Sequence, residues 1–201
     1  MGMSIMKAKN NQAKNTDKRQ RILDTSLELI MKQGIQATSM SKVSKESGVA
    51  VGTIYHHFES KEAIITELYR HFKLEMLQVM TTDLNVSDTL DSIFTEVVIR
   101  LFRYSKINPN ALEFCETFAS SPIIDSKVRE EVTQAFQGFT ENFIGKMGEE
   151  GVLNSTRKDM LMIYLNGAIF SMLRAQIAGQ IDWSEAEVRD YMRLVWKGIS
   201  L

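Results

Sequence analysis

Tyr55, His56 and His57 place a phenol and two imidazoles in succession, with Lys61 four positions beyond. Adjacent histidines suggest a metal pair, but neighbours on a helix point about 100° apart and do not close on one ion. No metal is expected. Cys115 is the single cysteine, so the chain can form neither an internal disulfide nor a multi-cysteine zinc centre. A catalytic thiol needs a positioned base, and the sequence around Cys115, Glu116 and His71 supplies none. Nothing has the spacing of a catalytic triad or a phosphate loop, so neither enzymatic activity nor a cofactor is expected.

These groups must be positioned by helices. Two prolines and eleven glycines are few for 201 residues, a balance that favours long helices. Residues 1–15 are polar, lysine-bearing and aperiodic, which reads as a disordered basic arm. Ile22, Leu23, Leu27 and Ile30 then recur at helical spacing, and Gly34 closes this first helix. Thr38 and Ser39 open a short second helix ending at Ser47, Gly48 turns the chain, and a third helix runs over residues 50–57. Ser60 caps a long fourth helix. Further amphipathic helices follow, opening near Ser87, Asn108 and Asp125. Residues 160–178 are apolar nearly all round and predict a helix buried on most sides, too short and too interrupted to cross a membrane. Ser184 with Glu187 predicts a capping box at the start of the last helix, with Trp183 stapled on Val188. About nine helices and no strand are expected, an all-α chain.

Charge divides the chain. Residues 1–61 carry ten Lys or Arg against five Asp or Glu, whereas residues 62–201 carry fourteen against twenty. A basic module ahead of an acidic body suits a polyanion partner, although solvated helix faces alone can produce such a split. With no secretory h-region and no apolar run read as a membrane span, a soluble, cytoplasmic protein is expected.

Residues 38–58 have the makings of a helix-turn-helix, in which one helix rests on phosphates and the next offers its N-terminal residues to the major groove. Gly48 permits the sharp turn, Val43, Val49, Ile54 and Phe58 can form a miniature core, and Gly52 allows close backbone approach. Gly34, Thr38, Ser39, Val43, Gly48, Val49, Gly52, Thr53, Ile54, Tyr55, His57, Phe58, Lys61 and Glu62 together resemble the N-terminal signature of the TetR/AcrR family of transcriptional regulators, over residues 17–77. The resemblance implies a DNA-binding domain over residues 16–77 and an effector-binding and dimerisation domain over residues 78–201. It implies that Thr38 and Ser39 hold a phosphate, that Tyr55, His56, His57 and Lys61 add backbone contacts, and that Ala50, Val51, Gly52 and Thr53 face base edges. Three departures stand out: Ala50 replaces the usual capping serine, Ser26 and Ser44 replace alanines, and Ser41 replaces a long polar residue.

In the body, Phe94, Phe102, Phe114, Phe118, Phe139, Phe143 and Phe170, with Asn166 as a polar group, can line a pocket for a small hydrophobic effector; ordinary core packing is the alternative for each. Glu113, Glu116, Arg174 and Gln176 are further polar candidates there. Leu165, Ile169, Met172, Tyr191, Val195 and Trp196 are assigned to a homodimer interface built from the last two helices. The function implied is sequence-specific transcriptional regulation, as a repressor released by its effector from a palindromic operator in double-stranded DNA. A helical carrier or enzyme whose helix-turn-helix serves packing or a protein partner is the alternative.

Overall fold

The computed structural model describes residues 2–85, 88–149 and 158–199, with side chains from Asp17 onward. Among the described residues there are nine helices and no strand. They are α1 (Gly2–Gln33), α2 (Met40–Ser47), α3 (Val51–His57), α4 (Lys61–Thr81), α5 (Leu90–Ile107), α6 (Pro109–Phe118), α7 (Ser126–Glu149), α8 (Lys158–Ile177) and α9 (Glu185–Lys197). The sequence-derived order of elements holds throughout, apart from the start of α1. There the helix continues back to Gly2, where the sequence pattern points to a disordered arm. The physical reason is propensity: after Gly2 the segment lacks glycine and proline and carries Lys, Met and Ala, which sustain a helix without an apolar stripe. The N-terminal signal expected at Ser87 lies outside the described residues.

Two compact units form. One comprises residues 1–71 with 114–125, the other residues 72–113 with 126–201. The expected division at residues 77/78 and the division between these units at 71/72 both fall within α4, and the end of α6 with its following loop belongs to the first unit. Thr66 anchors that loop, its hydroxyl donating to the Ile123 carbonyl and accepting from the Asp125 N–H, both at 3.3 Å. Because α4 is continuous across the division, its sequence carries no boundary signal.

In the first unit α1 packs on α2 and α3, burying Ile22, Leu23 and Ile30 with Val43, Val49, Ile54 and Phe58. In the second, α5 packs on α8 and α9. Arg103 grips Glu185 with two bonds of 2.7 Å, Lys106 reaches the Trp183 carbonyl at 3.0 Å, and Tyr104 donates to Glu75 at 2.6 Å. The α9 start is a capping box: Glu187 accepts from the Ser184 N–H at 2.9 Å while the Ser184 hydroxyl accepts from the Glu187 N–H at 3.3 Å. Trp183 lies beside Tyr191, with ring centroids 6.1 Å apart.

Helix α8 overturns two expectations. Over its 20 residues it is long and apolar enough to cross a membrane by length and composition, the one such helix among the described residues. A rise of about 1.5 Å per residue gives it that span in spite of the interruptions at Asn166 and Arg174. Nor is it a core helix within the protomer, since 22% of its apolar window is buried.

Candidate nucleic-acid interface

The reading head is assembled by backbone chemistry around two turns. Ser39 caps α2, accepting from the Lys42 N–H at 3.2 Å. Gly48 ends it at φ 66°, the left-handed region where a Cβ would be strained. Two serines then fix the turn into α3: the Ser44 hydroxyl donates to the Val49 carbonyl at 2.7 Å, and the Ser47 hydroxyl accepts from the Val49 N–H at 3.2 Å. Ala50 provides no side-chain cap, so the first N–H groups of α3 lack the side-chain acceptor that a serine would offer.

Burying Ile54 beneath α3 leaves Val51, Gly52, Tyr55 and His56 exposed, with Ala50 at the N-cap also exposed and Thr53 and His57 half-buried. Tyr55 keeps 52% of its surface open, so its phenol is not a core group. A solvent-facing strip of methyls, a hydroxyl, a phenol and an imidazole on a short helix matches the groove chemistry of base-edge and phosphate contact.

Three expected contact residues are differently employed. Thr38 is buried to 1% exposure; its hydroxyl donates to the Gly34 carbonyl at 3.0 Å and accepts from the Gln33 amide at 3.2 Å. It closes the end of α1 and has no surface to offer a phosphate, which corrects the expectation. Lys61 holds the Ile35 carbonyl at 2.8 Å, steadying the α1–α2 connection with one of its three N–H donors. The Nε2 of His57 is buried without a hydrogen-bond partner. Burial holds its pKa below the ordinary 6.5, assisted by positive charge on His56, Arg19 and Lys18, so near neutral pH it is an uncharged imidazole.

Sequence reasoning missed Arg19. Its guanidinium lies 5.1 Å from the Phe58 ring and 2.6 Å from the Glu67 carboxylate, locking α1 against the end of α3 and against α4. Its position three residues before Ile22 is the only signal it gives in sequence. Lys42, bonded to the Gln33 amide oxygen, likewise ties α2 to α1.

The expected effector residues are spread over both units. Phe139 and Phe143 line a cavity of about 570 Å³ with Leu84, Leu90, Ile93 and Lys146, and Phe94 lies behind Phe143, centroids 6.3 Å apart. Phe102 is core. Phe114 and Phe118 pair at 4.6 Å within the first unit. Asn166 is exposed on α8, bonded to the Met162 carbonyl at 2.8 Å, and Phe170 packs near the Lys73 ammonium at 5.9 Å. Gln176 accepts from the Trp183 N–H at 2.8 Å and holds the α8–α9 turn. Helical periodicity marks apolar faces without saying which faces leave space between them.

Several of the residues assigned to a homodimer interface lie inward in the protomer. Leu165, Met172 and Val195 are at most 5% exposed in the protomer, and Trp196 packs on Phe94 at 5.7 Å. Ile169 and Tyr191 are half-buried, with the Tyr191 hydroxyl on the Ala168 carbonyl at 3.3 Å. The large apolar side chains that α8 and α9 leave outward are instead Met160, Ile163, Tyr164 and Leu194.

Comparison with known proteins agrees with this architecture along the whole folded chain. Residues 22–68 match the family model for bacterial regulatory proteins of the tetR family, and residues 69–201 match that for the tetracyclin repressor-like C-terminal domain. The fatty acid metabolism regulator protein of Bacillus subtilis (strain 168) is 24% identical over 161 residues, covering 80% of this chain and 78% of that protein. A TetR-family transcription regulator from Shewanella sp. PV-4 has a TM-score of 0.79 at 25% identity, covering 92% of this chain and 98% of its own. The transcriptional regulator FadR from Bacillus subtilis, solved in complex with stearoyl-CoA, has a TM-score of 0.74 at 19% identity, covering 90% and 98%. With a glycine-turned reading head at residues 38–58 and family matches that run from residue 22 to residue 201, this chain belongs to the TetR family of bacterial transcriptional regulators.

Proposed function

We propose that the protein is a homodimeric repressor that reads a palindromic operator with α3 and leaves it when a small hydrophobic effector enters the second unit. The observation that carries the DNA reading is the exposed strip of Ala50, Val51, Gly52, Tyr55 and His56 above a buried Ile54. An exposed tyrosine on a seven-residue helix has little packing value, and its phenol is suited to a phosphate oxygen. Ser39 and Lys61 add backbone contacts; Val51 and Thr53 supply a methyl and a hydroxyl to base edges.

Two copies are needed to read a palindrome. The outward Met160, Ile163, Tyr164 and Leu194 supply an apolar surface on α8 and α9 that a symmetric partner would bury. The same surface answers the apolarity of α8 without a membrane, and a chromosome-binding regulator acts in the cytoplasm. The effector site is assigned to the cavity at Phe139 and Phe143, whose volume falls in the range of about 300–1,000 Å³ usual for small-molecule sites. The stearoyl-CoA in the Bacillus FadR structure supports an apolar chain as occupant. Helix α4 is the connecting element: it starts at Lys61, bonded to the α1–α2 connection, and ends at Thr81, which lines the cavity.

The test is enrichment of a duplex from a random-sequence pool by the purified protein, followed by gel shift of that duplex with and without added long-chain acyl-CoA, fatty acid or neutral hydrophobic compounds. A palindromic selected site and release by one of these classes are expected; no salt-dependent binding to any duplex would refute the reading.

A further inference from the structure

We infer that the N-terminal half of α1 is a second DNA contact, a basic arm that grips the phosphate backbone outside the bases read by α3. The inference rests on the DNA-binding reading above and extends it. Arg19 fixes where the arm departs: its guanidinium sits 5.1 Å from the ring of Phe58, the residue that ends α3, and pairs with Glu67 at 2.6 Å. From Asp17 onward, Ile22 and Leu23 are the first buried residues of α1, whereas Asp17 and Lys18 on the N-terminal side of Arg19 are exposed. At Lys18 and Arg19, α1 therefore runs beside the C-terminal end of the recognition helix, near enough to His57 to depress its protonation.

The composition of what continues outward fits one partner. Residues 2–16 contain Lys7, Lys9 and Lys14 and not one carboxylate; Asp17 is the first acidic residue of the chain. Nor do they contain an apolar stripe that would seek a protein surface. As a helix, residues 2–17 extend about 24 Å, at about 1.5 Å per residue, enough to pass several phosphates of the flanking duplex. Three lysines with Lys18, polar amides between them and no acid form a polyanion contact that carries no base-reading geometry. The arm is expected to raise affinity for every duplex alike and to leave sequence preference with α3.

The test is the full-length protein against K7Q/K9Q/K14Q/K18Q, each titrated at several salt concentrations against two probes: the duplex enriched by the unsubstituted protein and a random-sequence duplex of equal length. For every phosphate that a lysine no longer neutralises, the slope of log K against log salt becomes shallower by about 0.9. A slope reduced by about 1 or more per protomer on both probes, with the ratio of the two affinities unchanged, is the expected result. An unchanged slope overturns the inference, as does a loss of discrimination without a change of slope. Affinity that rises on neutralising the lysines overturns it too, assigning the arm to the acidic residues of its own chain. Circular dichroism and thermal unfolding of the variant establish that the first unit is intact. Failure of the unsubstituted protein to bind either duplex refutes the DNA reading itself, a result distinguishable from all of these.

Discussion

Ser44 and Ser26 are both serines where alanine is usual in the family, and the structure separates them by what each hydroxyl finds. Ser44 donates to the Val49 carbonyl at 2.7 Å and holds the turn; Ser26 is 1% exposed in α1 and its hydroxyl has no partner. A buried unsatisfied hydroxyl costs about 1–3 kcal/mol, whereas a satisfied one contributes about 1. Ser26→Ala is therefore expected to stabilise the first unit by about 1 kcal/mol and Ser44→Ala to destabilise it by a similar amount, both measured by urea unfolding. His57 makes the companion prediction in pH. Its folded pKa lies below 6.5, chiefly through burial and further through His56, Arg19 and Lys18, so the unfolded chain takes up the proton more readily. Stability is full above about pH 6.5 and falls as pH drops below that value through the folded pKa. Thermal unfolding between pH 7.5 and 5 should show this loss, and His57→Gln should reduce it; an equal pH dependence in the variant would remove His57 from the account.

At the scale of elements, α3 is short and begins on Ala50, which provides no side-chain cap. Ala50→Ser is expected to add about 1 kcal/mol to the stability of the first unit in urea unfolding. If α3 is partly ordered by DNA, the same change strengthens operator binding by up to about fivefold, since about 1.4 kcal/mol is tenfold. The periodic faces of α5 and α9 were legible because each has one buried stripe: Val188, Met192 and Val195 are within 3% of full burial. Helix α8 was not, because a segment apolar on every side gives no phase; Leu161, Leu165, Met172 and Leu173 turned inward and Met160, Ile163 and Tyr164 outward. The placement of Phe114 and Phe118 was equally hidden, since an apolar spacing on α6 is the same whichever unit receives it.

For the whole molecule, the proposed reading of a palindrome depends on the assembly of two copies. Ile163 and Leu194 are 73% and 67% exposed, so charging both, as I163E with L194E, leaves the protomer core untouched and places carboxylates on the proposed dimer surface. Sedimentation is expected to show a monomer with unchanged helical circular dichroism, and operator affinity is expected to fall at least tenfold because each half-site is then bound singly. A variant that remains dimeric would move the interface elsewhere. Phe143→Ala, by opening the cavity floor that Phe94 backs, is expected to weaken effector release of DNA while leaving effector-free binding in place.

From sequence alone came the all-helical architecture, the order of the helices, the turn at Gly48, the miniature core under α3 and the capping box at Ser184. Each depends on residues close in the chain, where a cap, a left-handed glycine or a period of about 3.6 expresses itself locally. Tertiary structure decided that Thr38 faces inward, that Arg19 seats on Phe58, that Phe139 and Phe143 border a cavity while Phe114 and Phe118 pair within the first unit, and which side of α8 is left outward. Those outcomes depend on which helices approach one another and where they leave space, a property of packing between distant segments that no local pattern records.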